Sequence, residues 1–294
     1  MLPVGEILNQ TNRRGFLEKS YKDVDRKRYM EIMVKSQNDL QGDLNDADGY
    51  DCHVCHNKGI VFYVVEEEKD GVADYHESST QCRCIKIRRS IRRMKASGLS
   101  GSISKCTFDK YETTEDWQTK IKDKAQHFAD NVENLEHKWF FIGGAVGCGK
   151  THICTAIVRE LLLKGKESRY MLWVDESTRL KASVNDEAKY NAMINPLKES
   201  EVLYIDDFLK ITKDTNGTEL LPTSADLKLA YEILNYRYQQ PELITIISSE
   251  RHVSEIELID SAIGSRIYEK TKENACNIAR DKKRNYRLRG SELI

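Results

Sequence analysis

The chain reads as an α/β protein: a parallel sheet with helices on both faces, preceded by a smaller helical and cysteine-bearing module. Three observations predict this. From Cys106 onward, short apolar runs alternate with helix-like stretches, the pattern of strand–helix–strand units. One strand–helix junction carries Gly-Ala-Val-Gly-Cys-Gly-Lys-Thr, Gly144 to Thr151, which fits the G-x-x-x-x-G-K-[ST] phosphate loop. Ahead of it, Cys52-x-x-Cys55 and Cys82-x-Cys84 stand at the two ends of a hairpin pattern.

The elements follow in order. Residues 1–48 are polar and charged. Ile7, Phe16 and Ile32-Met33 suggest helices with a modest buried face, and Arg26 to Glu31 holds good helix formers without Gly or Pro. Residues 49–97 form a second segment. Gly59 to Val65 is a strand, Lys69-Asp70-Gly71 a turn, and a return strand leads to Cys82 and Cys84. Residues 84–96 read as a basic helix with Ile87, Ile91 and Met94 as its apolar stripe and Arg88, Arg89, Arg92 and Arg93 on other faces. Ser97 to Ser102 reads as a linker, so the expected division is a linker at 98–105 and the larger domain at 106–294.

In that domain Asp116–Asn131 is an expected helix, Lys138–Ile142 a buried strand, and His152–Leu163 a helix with Ile153, Ile157 and Leu161 along one side. Further strands are expected at Ser168–Val174, Val202–Ile205, Leu243–Ser248 and Ala275–Ala279, with a helix at Ser224–Gln240. Lys210 to Pro222, with Asn216-Gly217, reads as a polar loop.

Composition narrows the class. Of 294 residues, 32% are charged and 39% hydrophobic, and the net charge is −1, so the chain as a whole is no polyanion binder. No apolar run approaches the ~20 residues of a membrane span. Met1 to Glu6 lacks the basic start and apolar stretch of a signal peptide, so a cytoplasmic location is expected. In a reducing compartment, the four clustered cysteines of the eight point to a metal and not to disulfides.

The phosphate loop carries specific chemistry. Its glycines let successive N–H groups turn toward phosphate oxygens, and the following helix adds the positive end of its dipole. Gly144, Ala145, Val146, Gly147, Cys148 and Gly149 would cradle the phosphates. Lys150 would reach the β- and γ-phosphates of ATP, and the Thr151 hydroxyl would hold Mg2+. Val202 to Ile205 ends in Asp206-Asp207, which places carboxylates at the C-terminal end of a strand. Asp206 would bind the magnesium and Asp207 would orient or deprotonate the attacking water. The strand at 243–248 could lie between the two motif strands and present a side chain to the γ-phosphate.

Cys52, Cys55, Cys82 and Cys84 match the general class of closed Zn2+ sites, in which two tight turns each give two thiolates. His53, His56 and His76 are spare ligands. The basic helix, with Arg83, Lys86, Arg88, Arg89, Arg92, Arg93 and Lys95, can bind DNA phosphates, pair with an acidic protein surface or be a solvated face.

The order of the phosphate loop, Ile205-Asp206-Asp207, Ile246-Ile247-Ser248-Ser249, Ala262 to Ile267 and Asn285-Tyr286-Arg287 resembles the bacterial and phage DnaC/DnaI-type helicase loaders, AAA+ ATPases related to the IstB transposition helpers. Thr107 to Tyr111 looks like the start of their ATPase domain, and the Cys52 to Cys84 module looks like their N-terminal zinc module. The resemblance implies an ATPase that binds a DnaB-type hexameric replicative helicase, promotes its loading onto single-stranded DNA, and self-associates through the ATPase domain. It implies Arg266 as an arginine finger acting on a neighbouring subunit's nucleotide and Arg287 as a second sensor in cis. The family often has Asn after the two serines; this chain has Glu250, which leaves the first-sensor role with Ser249 or Glu250, or altered. The segment 175–197 aligns with a helical insertion lining a DNA channel, with Arg179, Lys181 and Lys189 as phosphate contacts. An IstB-like transposition helper and a zinc-containing DNA-binding regulator with ATP-controlled oligomerisation are the rivals. A small-molecule kinase would leave the zinc module, Arg266 and Arg287 without a role.

Overall fold

The computed structural model describes residues 26–69, 72–99, 103 and 105–288. Ile7, Phe16, the Asp70-Gly71 turn and half of the linker (100–102 and 104) lie outside them. The chain divides into two compact units, Met1–Ile85 and Lys86–Ile294.

The first unit contains helix α1 (Arg26–Asp39), a single turn α2 (Asn45–Asp48), and the antiparallel strands β1 (Ile60–Lys69) and β2 (Val72–Gln81). Register runs from Ile60 opposite Gln81. Polar contacts seat α1 on the hairpin. The Asn38 amide donates to the Phe62 carbonyl at 2.8 Å and accepts from its N–H at 3.0 Å, so one side chain replaces a missing strand partner at the β1 edge. Gln37 donates to Glu77 at 2.8 Å. The buried residue of α1 is Val34, whereas Ile32 and Met33, expected to face inward, are 59% and 40% exposed. The helix is docked through amides and ion pairs, so no apolar stripe is required.

Helix α3 (Cys84–Met94) spans the division between the units and continues as a π turn, Lys95–Leu99. Ile87, Ile91 and Met94 are buried as the stripe predicts. So are Arg88, Ser90 and Leu99, against the expectation that Arg88 lies on an outer face and Leu99 in a linker.

The second unit is built on a five-stranded sheet with the order β4-β5-β8-β3-β9, parallel throughout. Its elements are α4 (Asp116–Asn131), β3 (Trp139–Gly144), α5 (Lys150–Leu163), β4 (Ser168–Leu172), α6 (Trp173–Ala182), α7 (Glu187–Glu199) and β5 (Val202–Asp206). There follow β6 (Thr212–Lys213), β7 (Glu219–Leu220), α8 (Ser224–Tyr238), β8 (Ile244–Ser249), α9 (Val253–Ile259), α10 (Ser261–Thr271) and β9 (Ala275–Ile278). The runs WFFIGG, VLYID and ITIISS are buried along their whole length because helices cover both faces of the sheet. Helix starts are capped: Gln118 closes a box with Glu115 on α4, and Thr223 with Asp226 on α8.

Three details bear on the site. The edge strand β4 is covered by α3 and its π turn: the Ser168 N–H donates to Ser90 Oγ at 3.2 Å, and Arg93 pairs with Glu167. The segment expected as a loop at Lys210 to Pro222 holds a small hairpin, β6–β7, tied to the end of β8 by an ion pair between Glu219 and the buried Arg251. Arg237 is fully buried with no carboxylate in ion-pair contact among the described residues. It donates to carbonyls of Leu197, Lys198, Ser200 and Ile244 and to Thr245 Oγ1, so it clamps the end of α7 to the start of β8. Burial lowers its pKa to about 9.

Candidate nucleotide and metal sites

The sheet order puts β8 between β3 and β5, as the sequence reading allows, so the loops after β3 and β5 open at the same end of the sheet. The loop after β3 needs its glycines. Gly144, Gly147 and Gly149 have φ of 117°, 72° and 91°. A Cβ on Gly147 would fall 1.9 Å from the Asn285 amide oxygen, because the C-terminal segment lies against the loop. That segment is fixed by the Tyr286 N–H donating to the Gly147 carbonyl at 2.9 Å.

A cavity of about 570 Å3 opens over this loop. Val146, Gly147, Cys148, Gly149, Lys150, Thr151, Asp206, Asp207 and Arg287 line it. Gly144 and Ala145 sit behind: their carbonyls accept from Lys150 Nζ at 2.9 and 2.6 Å. Ser249 is buried and donates to the Phe208 carbonyl at 2.7 Å; Glu250, and not Ser249, is on the cavity wall. Arg266 is not among the lining residues of its own chain's cavity.

Asp206 is hydrogen-bonded on both carboxylate oxygens. Thr151 Oγ1 lies 3.3 Å from its Oδ1, Tyr170 donates to Oδ2 at 3.1 Å, the Asp207 N–H donates to Oδ1 at 3.2 Å, and Ser248 Oγ donates to Oδ1. A hydroxyl and a carboxylate oxygen this close can share one hard cation, so Thr151 and Asp206 fit magnesium. Tyr170 is kept protonated, its pKa driven up by burial and by Asp206, so it stays a donor. Asp207 is set differently. Its backbone is left-handed at φ 53°, and its Oδ2 takes an ion pair from Lys210 at 2.7 Å. That bond raises the Lys210 pKa, with burial opposing. Tyr111 closes the cavity on the far side of Gly149, edge-on to His152 at 5.4 Å between ring centres. Burial raises its pKa, and its hydroxyl has no hydrogen-bond partner among the described residues.

Tyr170 and Lys210 were not singled out from sequence. Tyr170 reaches Asp206 only through the β4–β5 register, in which Leu172 stands beside Asp206. Lys210 had a local signal, a cation three residues after Asp207.

The four cysteines of the first unit come together. All four Sγ atoms lie within 4.8 Å of one another, with Cys52–Cys82 at 3.8 Å and Cys55–Cys84 at 3.5 Å. Four thiolates each about 2.3 Å from a central ion stand about 3.8 Å apart in a tetrahedron, so the donor set fits Zn2+. His56 and Asn57 take positive φ at 47° and 66° in the Cys55 turn, and the Asn57 side chain accepts from the Cys52 N–H at 2.8 Å. The Cys55 thiol is buried, which opposes ionisation. The Gly59 N–H and the neighbouring thiols outweigh this and lower its pKa to about 7. Burial raises that of Cys82. Among the described residues, His53, His56 and His76 are not part of the metal-type cluster.

The DNA-contact candidates differ in freedom. Arg179 is largely exposed on α6 and pairs with Glu176 at 3.2 Å, Lys181 is held by Asp226 at 2.5 Å, and Lys189 is exposed in the first turn of α7. No helix of the described residues is long and apolar enough to cross a membrane.

Comparison with known proteins places the second unit. Residues 104–270 match the model of the bacterial DnaA ATPase domain. The phage-like element PBSX protein XkdC of Bacillus subtilis is 32% identical over 234 residues, 76% of this chain and 81% of that protein. YqaM of the same organism is 28% identical over 279 residues, 81% of this chain and 86% of that protein. The replicative helicase loader DnaC of Escherichia coli is 27% identical over 126 residues, 42% of this chain and 50% of that protein. With its parallel sheet, phosphate loop and the DnaA-type match over more than half its length, the chain belongs to the AAA+ ATPases of the bacterial DnaA type.

Proposed function

We propose that this protein is an ATP-dependent loader that binds a DnaB-type hexameric replicative helicase in the cytoplasm and promotes its placement on single-stranded DNA. One observation carries the reading: Lys150, Thr151, Asp206 and Arg287 converge on one cavity, while Arg266 stands outside it, as a residue acting on another copy's nucleotide would. The first unit, held by Zn2+ on Cys52, Cys55, Cys82 and Cys84, grips the helicase.

Bound magnesium supplies positive charge against the phosphates of ATP. The chain's part is to position. The loop from Gly144 to Gly149 presents its N–H groups to the phosphates, and Lys150 exchanges the Gly144 and Ala145 carbonyls for phosphate oxygens. Tyr170 and Ser248 hold the Asp206 carboxylate in a fixed orientation toward Thr151. Asp207, with Oδ2 paired to Lys210, orients or deprotonates the attacking water. Glu250, on the cavity wall, takes the place of the first sensor. Arg287 contacts the γ-phosphate in cis and Arg266 acts in trans on an adjoining subunit. Arg179, Lys181 and Lys189 face the DNA backbone.

The test is capture from host extract. With ATP present, the tagged protein should retain the hexameric helicase, and the 86–294 fragment should not. Retention by the fragment, or no helicase in either arm, would contradict the reading.

A further inference from the structure

We propose that Tyr231, Asn235 and Tyr238 of α8 form a neutral seat that presets Arg266 for action on a neighbouring subunit's nucleotide, which makes them positioning residues for hydrolysis. The proposal rests on the trans role of Arg266.

The geometry is specific. All three guanidinium nitrogens are engaged: Nε donates to Asn235 Oδ1 at 3.2 Å, Nη1 to the Ala262 carbonyl at 2.7 Å, and Nη2 to the Tyr231 hydroxyl at 3.3 Å. The guanidinium carbon lies 4.9 Å from the Tyr231 ring centre and 5.4 Å from that of Tyr238, both within cation–π range. Positions 231, 235 and 238 follow the i, i+4, i+7 spacing of one helix stripe, offset from the α8 residues Ala230, Ile233, Leu234 and Arg237 that face the core. Tyr238 is itself fixed from α10, donating to Glu269 at 2.8 Å with Lys270 4.8 Å from its ring centre.

The chemistry of the partners separates this from an ordinary surface arginine. Among the described residues every hydrogen-bond and ring partner of Arg266 is uncharged, and the nearby Glu269 carboxylate takes its hydrogen bond from Tyr238. A carboxylate partner would have to be broken away before the guanidinium could meet a phosphate. Amide, carbonyl and ring partners hold the side chain in place with no carboxylate in ion-pair contact among the described residues, and Lys270 adds to the positive field. A long side chain that is already ordered loses less rotamer freedom when it engages, and a preset cation is most effective where negative charge develops.

The experiment measures ATP turnover by the full-length protein assembled on single-stranded DNA, alongside ATP affinity and thermal melting. Tyr231→Leu/Tyr238→Leu should lower kcat about tenfold with KM and ATP affinity within about twofold, and Tyr231→Phe/Tyr238→Phe should recover most of the loss. Asn235→Asp is the sharper variant and does not depend on the double variant folding. It offers Arg266 a salt bridge, so a purely structural role predicts equal or greater stability and unchanged turnover. The seat predicts turnover lowered several-fold at unchanged melting temperature. Full turnover by Asn235→Asp, or by a folded Leu double variant, would overturn the seat. Arg266→Ala in the same assay tells the two readings apart: if it turns over normally, the trans role fails and the seat with it; if it loses turnover while the seat variants do not, the seat alone fails.

Discussion

The two units of this chain hold together by different means. In the second, whole strands such as β3, β5 and β8 are buried and a large apolar cluster runs from Trp139 and Met171 to Ile263 and Ile267. In the first, the buried cluster consists of the four cysteines themselves, with Tyr50, Val61 and Ile85 packed against it, and α1 contributes Val34. Among its described residues the first unit buries few apolar side chains, so its fold relies on cross-links of another kind. The cysteine cluster, whose donor set fits a metal, takes the place of a core among the described residues of the first unit, while the second folds around its own.

The largest expected effect separates them. Removing zinc by chelation, or Cys55→Ser, withdraws binding energy that for structural zinc is about 10 kcal/mol or more. The first unit should lose its ordered amides by hydrogen exchange while ATP affinity of the second changes less than about twofold. If both units lose structure together, the division is not one of independent cores.

Asp206→Asn acts on the other side. It removes the carboxylate charge facing Thr151, and turnover measured at saturating ATP should fall about 100-fold or more with zinc content unchanged. Tyr170→Phe should give a smaller effect of a different kind: Asp206 keeps its charge but loses one orienting donor, so the magnesium concentration needed for half-maximal turnover should rise about tenfold. A fall in kcat with no change in magnesium requirement would place Tyr170 elsewhere in the mechanism. The smallest effect belongs to Lys189→Ala, which should weaken single-stranded DNA binding a few-fold and reduce the slope of log affinity against log salt by about 0.7. An unchanged slope would remove α7 from the DNA path.

How far the chain could be read in advance follows the same contrast between local and distant contacts. The phosphate loop, the buried strands and the cysteine pairs are local patterns, and their elements appear within a few residues of where periodicity and turn residues put them: α4 at 116–131, for example, and β5 ending on Asp206. What escaped depends on register and packing between segments far apart in the chain. Arg88 looks like one more cation on a basic helix until α3 covers the edge of β4. Ser248 and Ser249 differ only in which way each side chain points at the end of β8, one toward Asp206 and the other toward the Phe208 carbonyl. Ile32 and Met33 look like a buried pair, but amides and ion pairs dock α1 and leave them outside. Tyr231 and Tyr238 carry no motif; only the crossing of α8 and α10 brings them to Arg266.

The central claim is that a zinc-held unit captures the helicase and an ATP-bound unit delivers it to DNA. Unwinding by the host's hexameric helicase on a fork coated with single-strand binding protein tests it most directly. The account predicts that unwinding begins only with the full-length protein and ATP, and fails with residues 86–294 alone or with Lys150→Ala. Unwinding at full rate with either of these, or none with the intact protein, would contradict it.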